Sequence, residues 1–350
     1  MLYTGIKKVK DLEERKRIID KLIVLRKQLD RDIPEKTAEN SLLLATWNIR
    51  EFGDNRRTES LYYISEIISR FDLIALQEVA SDKKGLESIV SILGKDWQYI
   101  VTDSTEGSEG GWECMAFLYD TRKVSFKNLA GEIVLEKKKL IDEMQFARTP
   151  FCVSFQAGWF KFNLTTVHII YGSGESKPRR LKEIDALAKF LTKRAKKEKV
   201  NYVLLGDFNI PKKDGDHMNA LTSNGFHIPE AIKNHPTDLG GTYHYDQICF
   251  NLQMNKTMQV FDEEKQRSGA FNFTKSVYTE ADFPIYRPFL KKETTNKKGE
   301  THVYTEEELL NNYMKTYRTF EMSDHLPLWV EFKVDFSGQY LSDLESDLNK

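Results

Sequence analysis

VLLGDFNIP, residues 203–211, joins an apolar run typical of a buried strand to Gly206, Asp207 and Asn209. Gly, Asp, Asn and Pro are the usual turn residues, so one interpretation is a strand that simply ends in a turn. The other interpretation is a carboxylate and an amide held at the end of a rigid element, where functional groups are best positioned. The rest of the chain is needed to choose between them.

The bulk composition limits the class of protein. Hydrophobic residues make up 40% and charged residues 30% of the 350 residues. No apolar run approaches the roughly 18 residues that a membrane span requires, and the length favours one large domain with additions. With 52 basic and 53 acidic residues, the net charge of −1 is not the signature of a protein that coats nucleic acid. A bound cation can still neutralise one phosphate locally.

We expect a cytoplasmic protein with reduced thiols. The first residues, MLYTGIKKVKDLEERK, contain no apolar stretch followed by small residues, as a secretory signal would. Cys114, Cys152 and Cys249 lie in apolar segments and show neither C-x-x-C nor Cys/His spacing. We therefore expect three reduced, buried strand residues.

Apolar runs of strand length alternate with helical patterns from residue 42 onward, and a series of strands with few helices follows. This mixed order predicts an α/β fold of two packed sheets flanked by helices. The predicted strands include LLLATWNI, DLIALQE, WECMAFLYD, TPFCVSFQA, FKFNLTTVHI, YVLLGDFN, YDQICF and LPLWVEFKV, and a helix is predicted from about 179 to 196.

The ends of the chain and one internal run are interpreted as additions to a domain that spans 41–335. Residues 1–40 contain an amphipathic helix within 8–30, for which we expect one apolar face made by Leu12, Ile19, Leu22, Ile23 and Leu29. Residues 255–320 are interpreted as an insertion, in which KKETTNKKGE has the composition of a mobile loop. Residues 336–350 are interpreted as a tail.

The insertion carries tyrosines spread among lysines, a mixture able to stack on bases and contact phosphates. Packing of these rings onto the domain is an equally good interpretation. The tyrosines are Tyr278, Tyr286, Tyr304, Tyr313 and Tyr317, and the lysines include Lys275, Lys291 and Lys292.

Polar side chains end one predicted strand after another, which favours the functional interpretation of the opening stretch. If the strand ends meet at one rim, they form a small concave site of carboxylates, amides and two histidines. Oxygen ligands without cysteine favour Mg²⁺ or Mn²⁺, and such a cation with histidine suits hydrolysis of a phosphate diester. The residues are Asn48, Glu78, His168, Asp207, Asn209, Asp324 and His325.

The motifs TWNIREFG, LIALQEV, WECMAFLY, RTPF, TVHI, LLGDFN, YDQI and SDHLPLWVEF occur in that order between residues 42 and 334. Taken together, they resemble the endonuclease/exonuclease/phosphatase superfamily, and within it the deoxyribonuclease I-like branch. The resemblance implies a four-layer α/β sandwich, in which two packed mixed sheets are flanked by helices. It also implies divalent-metal-dependent phosphodiester hydrolysis, with Mg²⁺ or Mn²⁺ as the cofactor.

The resemblance also assigns roles to residues. It implies that Glu78 is the principal metal ligand with Asn48 assisting, and that Asp207, Asn209 and Asp324 hold metal or the scissile phosphate. It implies two catalytic histidine–carboxylate dyads, His325 with Asp246 and His168 with Glu113, and a phosphate contact from Arg148. We favour His325 as the general base and His168 as the acid or phosphate-oxygen donor.

Several substrates remain open, because the superfamily varies in substrate more than in site. An endonuclease acting on DNA is the first choice. The abasic-site endonuclease branch carries a tyrosine at the position of His168, which disfavours that branch. Inositol polyphosphate phosphatases usually carry an arginine where Gln247 stands, which counts against them as well. A sphingomyelinase-like enzyme would need membrane contact, and no lipid-binding segment is apparent. A catalytically silent binding protein is disfavoured because all the expected site positions are filled.

Overall fold

The computed structural model describes residues 1–104, 111–172, 177–253, 267–297 and 299–348, and two sheets dominate it. The first sheet has the order β10-β13-β1-β2-β4-β3, with β1 (Ser41–Phe52), β2 (Leu73–Ala80), β3 (Trp97–Val101), β4 (Glu113–Asp120), β10 (Ser268–Ala270) and β13 (Leu328–Lys333). The second has the order β5-β6-β7-β8-β9, with β5 (Val124–Glu132), β6 (Phe151–Ala157), β7 (Phe160–His168), β8 (Asn201–Asp207) and β9 (Asp246–Asn251). The pairs β1/β2 and β7/β8 are parallel, and the other pairs within these two sheets are antiparallel.

Helices cover the outer face of each sheet, which gives the four-layer α/β sandwich expected from the sequence. The helices are α1 (Leu12–Asp32), α2 (Thr58–Ile68), α3 (Lys84–Leu93), α4 (Lys177–Glu198), α5 (Asp216–Thr222), α6 (Glu230–Lys233), α7 (Phe283–Tyr286), α8 (Glu306–Asn312), α9 (Arg318–Glu321) and α10 (Ser337–Leu348). In the described residues, no helix is both long enough and apolar enough to cross a membrane.

Two apolar cores hold the layers together. One lies between the sheets and extends to α4 and α5; in it Phe117 of β4 meets Phe151 and Phe155 of β6, with ring centroids 5.5 and 5.7 Å apart. The other lies between the first sheet and α1, α2, α3 and the insertion. Because burial of apolar surface is the main stabilising term, these two cores fix how the sheet edges meet.

The amphipathic helix exists as α1, but its buried face differs from the predicted one. Ile18, Leu22, Leu25 and Leu29 are buried, at a spacing that brings them onto one side of a helix. The prediction was correct for Leu22 and Leu29 and wrong for three other residues, which are exposed: Leu12, Ile19 and Ile23. The apolar residues of α1 cover more than one side, so the sequence does not reveal which side meets the core.

The described part of the insertion is folded. Strand β10 joins the edge of the first sheet, and residues that include Phe271, Phe273 and Tyr278 enter the outer core. KKETTNKKGE was predicted to be a mobile loop, yet it contributes to an exposed antiparallel hairpin of β11 (Glu293–Thr295) and β12 (Thr301–Val303), with residue 298 outside the described range. The start of the insertion, 255–266, also lies outside the described residues.

The tyrosines of the insertion mostly pack inside the protein. Tyr278, Tyr286 and Tyr313 are buried, and their rings stack on one another beside Tyr317. This confirms the packing interpretation for these three residues and removes them from any surface that binds bases. Tyr304 and Tyr317 are partly buried.

Two smaller expectations are settled by the same burial pattern. Cys114, Cys152 and Cys249 are buried and unpaired, as predicted. The segment interpreted as a tail, 336–350, contains helix α10, whose Tyr340 packs against Trp159 with 5.5 Å between ring centroids.

The carboxyl ends of β1, β2, β7 and β8 meet at one rim of the sandwich. Just beneath it, Gln77 Nε2 of β2 donates a 2.8 Å hydrogen bond to Thr166 Oγ1 of β7. Gln77 Oε1 also accepts a hydrogen bond from Thr46 Oγ1 of β1, at 3.3 Å. This buried polar link joins the two sheets where the strand-end residues converge.

Candidate active site

The GDFN turn depends on Gly206. Its φ is +129°, and a Cβ at this position would lie 2.2 Å from the Val167 backbone oxygen. Only glycine meets both conditions, because it has no Cβ and adopts positive φ without strain. The close approach of β7 and β8 at this point sets the position of Asp207.

Three residues predicted for the site stand side by side on neighbouring strands. His168 of β7 is in register with Asp207 of β8, which is in register with Asp246 of β9. All three are buried. The stretch VLLGDFNIP therefore supplies the centre of a row of ionisable groups.

Asn209 holds the loop that follows Asp207. It has φ of +54°, a left-handed conformation that asparagine tolerates better than most residues. Its backbone N–H donates to Asp207 Oδ1 at 2.8 Å, and its side-chain Nδ2 donates to the Ile169 carbonyl at 2.8 Å. These bonds orient the Asp207 carboxylate and fasten the loop to the end of β7.

The first sheet contributes Asn48 and Glu78. The pairing of β2 is interrupted on both sides near Glu78, which has φ of +59°. Asn48 Nδ2 donates to Glu78 Oε1 at 2.9 Å and to Asp207 Oδ2 at 3.0 Å. Glu78 Oε2 accepts the backbone N–H of Glu51 at 2.9 Å. The amide of Asn48 thus connects the carboxylates of the two sheets.

Both predicted dyads are present. His325 Nδ1 donates to Asp246 Oδ2 at 2.7 Å, and His168 Nδ1 donates to Glu113 Oε1. The other ring nitrogens point at one carboxylate, since Asp207 Oδ2 is 3.6 Å from His168 Nε2 and 3.8 Å from His325 Nε2. A carboxylate on Nδ1 fixes which nitrogen carries the proton, so both Nε2 atoms face the cleft with a defined role.

The electrostatics of the site follow from burial opposed by close countercharges. Burial alone would lower the pKa of His325, but Asp246 and Asp207 raise it well above the usual value. The same competition between burial and Glu113 leaves the pKa of His168 raised. Burial would raise the pKa of Asp207, but the two imidazoles lower it. The site therefore keeps its central carboxylate ionised between two histidines that bind protons tightly.

Glu78 is also held as a carboxylate. Burial acts to raise its pKa, but the charge of His168 and the hydrogen bonds from Glu51 and Asn48 lower it overall. A partly buried, ionised oxygen donor next to a neutral amide is the kind of group that a hard divalent cation binds.

One further observation indicates that these oxygen donors fit Mg²⁺ or Mn²⁺. Asn48 Oδ1 is buried and has no hydrogen-bond partner in the described part of the chain, while its Nδ2 is doubly engaged. An unpartnered buried amide oxygen costs free energy unless something binds it. Two carboxylate–histidine groups are close enough to share an ion, Glu78 with Glu113 and His168, and Asp207 with Asp246 and His325.

Arg148 and Asp324 occupy the margin of the site. Arg148 Nε forms a 2.7 Å ion pair with Glu113 Oε1, so the guanidinium stands beside the His168 dyad. Asp324 is exposed and belongs to neither carboxylate–histidine group, although its charge helps to raise the pKa of the adjacent His325. Its predicted role as a metal ligand stays a prediction.

Supporting residues that the sequence analysis missed hold these groups in place. Ser323 Oγ donates to the Asn48 carbonyl at 2.6 Å and accepts the N–H of His325 at 2.9 Å. Trp47 Nε1 donates to the His325 carbonyl at 2.9 Å. The serine of the SDH motif was the available signal, because a buried hydroxyl next to a site residue usually serves as a hydrogen-bond bridge.

Arg56 braces the turn that supports Glu78. Its guanidinium donates to the backbone carbonyls of Arg50 and Glu51 and lies over Phe52, 5.0 Å from the ring centroid. No carboxylate of the described chain forms an ion pair with it, and burial lowers its pKa to about 10. Burial of a guanidinium costs free energy. Here its hydrogen bonds hold the turn in which the Glu51 N–H donates to the Glu78 carboxylate.

Solved structures give the same overall architecture. A protein of the endonuclease/exonuclease/phosphatase family from Bacteroides thetaiotaomicron is similar over 85% of this chain and 99% of its own, with a TM-score of 0.50 and 15% identity. This chain has the endonuclease/exonuclease/phosphatase fold. TDP2 from D. rerio, solved with a single-strand DNA product, shares the fold at a TM-score of 0.51 and 13% identity, over 83% of this chain and 98% of its own. The catalytic domain of human Nocturnin shares the fold at a TM-score of 0.51 and 14% identity, over 83% of this chain and 94% of its own.

These identities are low enough that they establish the fold rather than the activity. No protein-family model and no curated protein sequence matches this chain.

Proposed function

We propose that this chain is a divalent-metal-dependent phosphodiester hydrolase that acts on DNA. The observation that carries the proposal is the convergence of two histidine–carboxylate dyads on Asp207, at 3.6 and 3.8 Å from its Oδ2. A scaffold or binding protein has no need for two buried imidazoles with fixed tautomers around one ionised carboxylate.

The dyads divide the proton transfers of hydrolysis. Water attacks phosphorus, and its proton passes to His325 Nε2 while Asp246 stabilises the imidazolium through Nδ1. The bond from phosphorus to the sugar oxygen breaks, and His168 donates from Nε2 to that oxygen or to a non-bridging phosphate oxygen. Arg148, beside the second dyad, neutralises negative charge on the phosphate.

Glu78 and Asn48 would hold the cation, with Asp207 and Asp324 as further oxygen ligands. When bound, Mg²⁺ or Mn²⁺ supplies charge neutralisation and orientation of the phosphate and its attacking water. A cation at Glu78 would also lower the raised pKa values of both histidines. His325 needs this lower pKa in order to accept a proton near neutral pH. Asn209 contributes by fixing the orientation of Asp207.

DNA is the substrate that we favour among phosphodiesters. TDP2 from D. rerio shares the fold and was solved with a single-strand DNA product. Gln247 is buried and donates to the His244 carbonyl, so it contributes to the fold rather than to recognition of a polyphosphate. We place the enzyme in the cytoplasm, where three unpaired cysteines would stay reduced.

The test is a comparison of substrates with a matched inactive variant. Purified wild type and Asp207→Asn are assayed with plasmid DNA, single-stranded DNA, RNA, phosphoinositide and sphingomyelin, in Mg²⁺ and in excess chelator. We expect DNA hydrolysis that requires the cation and is absent in Asp207→Asn. Faster hydrolysis of the inositol lipid or of sphingomyelin would replace the DNA assignment, and equal activity in chelator would rule out the metal-dependent reaction.

A further inference from the structure

A row of aromatic rings leads away from the catalytic dyad of His325. The Tyr245 ring lies 5.5 Å from the His325 ring, and the Tyr243 ring lies 4.9 Å from that of Tyr245, with only 12° between the tyrosine planes. The Tyr171 ring meets the Tyr245 ring edge-on, with 6.4 Å between centroids. We call Tyr171, Tyr243 and Tyr245 the tyrosine platform. None of the three was singled out by the sequence analysis.

Several hydrogen bonds hold the loop that carries Tyr243 and Tyr245. Asp238 Oδ1 accepts the N–H groups of Thr242 and Tyr243 at 2.7 and 2.6 Å, and the Tyr243 carbonyl accepts the N–H of Thr237 at 2.8 Å. The Tyr245 carbonyl accepts the N–H of Phe208 at 2.9 Å. The rings are therefore positioned by the same backbone that positions Asp207.

The opposite side of the platform is fixed by an arginine. Arg180 lies 4.8 Å from the centroid of the Tyr171 ring and donates to the carbonyls of Tyr171 and Asn209. Arg180 is itself buried, so it anchors the Tyr171 segment to the loop of Asn209 rather than contacting a ligand directly.

The outer rings of the platform are accessible. Tyr171 is 59% exposed and Tyr243 is 42% exposed, although aromatic side chains of this size are usually covered. Most tyrosines of the insertion, by contrast, pack within the outer core. This platform thus supplies exposed aromatic surface close to the dyad of His325.

We propose that the tyrosine platform stacks an unpaired nucleobase next to the cleaved bond, so that the substrate is single-stranded nucleic acid or a frayed end rather than intact duplex. This inference deepens the proposed function and rests on it. A base inside a duplex has both faces covered by its neighbours, and only an unpaired base can offer a face to Tyr243. Stacking of this kind tolerates any base, so it selects strand state rather than sequence.

The test uses a single-stranded hexanucleotide with one cleavable phosphodiester, the other linkages being methylphosphonates. A second version lacks the bases on either side of that bond. The wild type is compared with Tyr243→Leu, which removes the ring, and with Tyr243→Phe, which keeps it. Tyr340→Leu is the matched control, because Tyr340 is 43% exposed and lies on α10, outside the site.

We expect kcat/KM of the wild type to fall about tenfold or more when the bases are removed. Tyr243→Leu should lose a similar factor on the complete substrate and almost nothing on the abasic one. Tyr243→Phe and Tyr340→Leu should behave as wild type. Equal losses for Tyr243→Leu on both substrates would overturn the inference, because they indicate a structural effect.

A binding measurement separates this inference from the proposed function. The affinity of the wild type for the two hexanucleotides is measured in excess chelator, so that no cleavage occurs. Both hexanucleotides carry 2-aminopurine as a fluorescent base at a position away from the cleavable bond. Weaker binding of the abasic version supports the platform even if turnover is low. If both hexanucleotides are hydrolysed at the same rate and bound with the same affinity, the platform does not stack a base. That result would leave the proposed phosphodiester hydrolysis intact. If the wild type neither binds nor cleaves either version, both proposals fall.

Discussion

Replacement of Asp246 by asparagine probes the His325 dyad with almost no change of shape. Asp246 is fully buried, and its Oδ2 lies 2.7 Å from His325 Nδ1. A hydrogen bond between charged groups is worth about 1.5–3 kcal/mol, which corresponds to about 10- to 150-fold in rate if it is realised in the transition state. The asparagine amide can also donate to Nδ1 and move the ring proton to Nε2, which would add a further loss.

We therefore expect Asp246→Asn to lower kcat by about 10²–10⁴-fold with little change in KM. Single-turnover rates at saturating Mg²⁺ provide the measurement, with circular dichroism as a check on the fold. Glu39→Gln is the matched control, since Glu39 is exposed and lies before β1, at the opposite end of the sheet from Asn48. The double variant with His325→Ala should be no slower than His325→Ala alone. If the two losses multiply, Asp246 does not act through His325.

Three further predictions concern the cation, the backbone and the charge network. Glu78→Gln should weaken Mg²⁺ binding in calorimetric titrations and remove most activity, while wild-type affinity would exclude Glu78 as a ligand. Gly206→Ala should lower the free energy of unfolding by more than about 2 kcal/mol in urea, because of its φ and the close Val167 oxygen, whereas Gly131→Ala, with open space around it, should be nearly neutral. Burial opposes ionisation of Asp120, but Arg122 and a lysine hold its pKa at about 2, below the usual value. Because a lowered carboxyl pKa stabilises the fold above the unfolded pKa, Asp120→Asn should cost about 1–2 kcal/mol at pH 7, and the difference should shrink as the pH falls from 4 towards 2. A difference independent of pH would show that Asp120 contributes by packing alone.

Much of the site could be predicted because its residues end buried strands. A buried parallel strand is a long apolar run, and a polar residue at or near its end is conspicuous, as with Asp207 at the end of β8 and Glu78 near the end of β2. The sequence shows the residue type and its place on the strand. It does not show the bulge and the positive φ that turn Glu78 towards Asn48, because these arise from pairing with both neighbouring strands.

The sequence is less informative where burial does not follow a simple period. Strand β5 is an edge strand with eight of its nine residues exposed, so the alternation that identifies a half-buried strand is absent. Helix α1 carries apolar residues on several sides, and only packing against α2 and the insertion selects the face of Ile18 and Leu22.

The tyrosine platform could not be identified from the sequence for a related reason. Tyr243 and Tyr245 precede Asp246 in a short loop, and Tyr171 is more than 70 positions earlier. Their rings meet only because β7 and β9 both flank β8. Tyrosines of the insertion offered the stronger compositional signal, yet tertiary packing buries most of them.

The most direct test of the account is the single-turnover rate of DNA hydrolysis by wild type and by Asp207→Asn, each in Mg²⁺ and in excess chelator. Both dyads face the Asp207 carboxylate, and the asparagine keeps its size while removing its charge. We expect DNA hydrolysis by the wild type to require Mg²⁺. In Asp207→Asn the rate in Mg²⁺ should fall by about 10³-fold or more, with the fold unchanged. A wild-type rate in Asp207→Asn would contradict the assignment of this cluster as the catalytic centre.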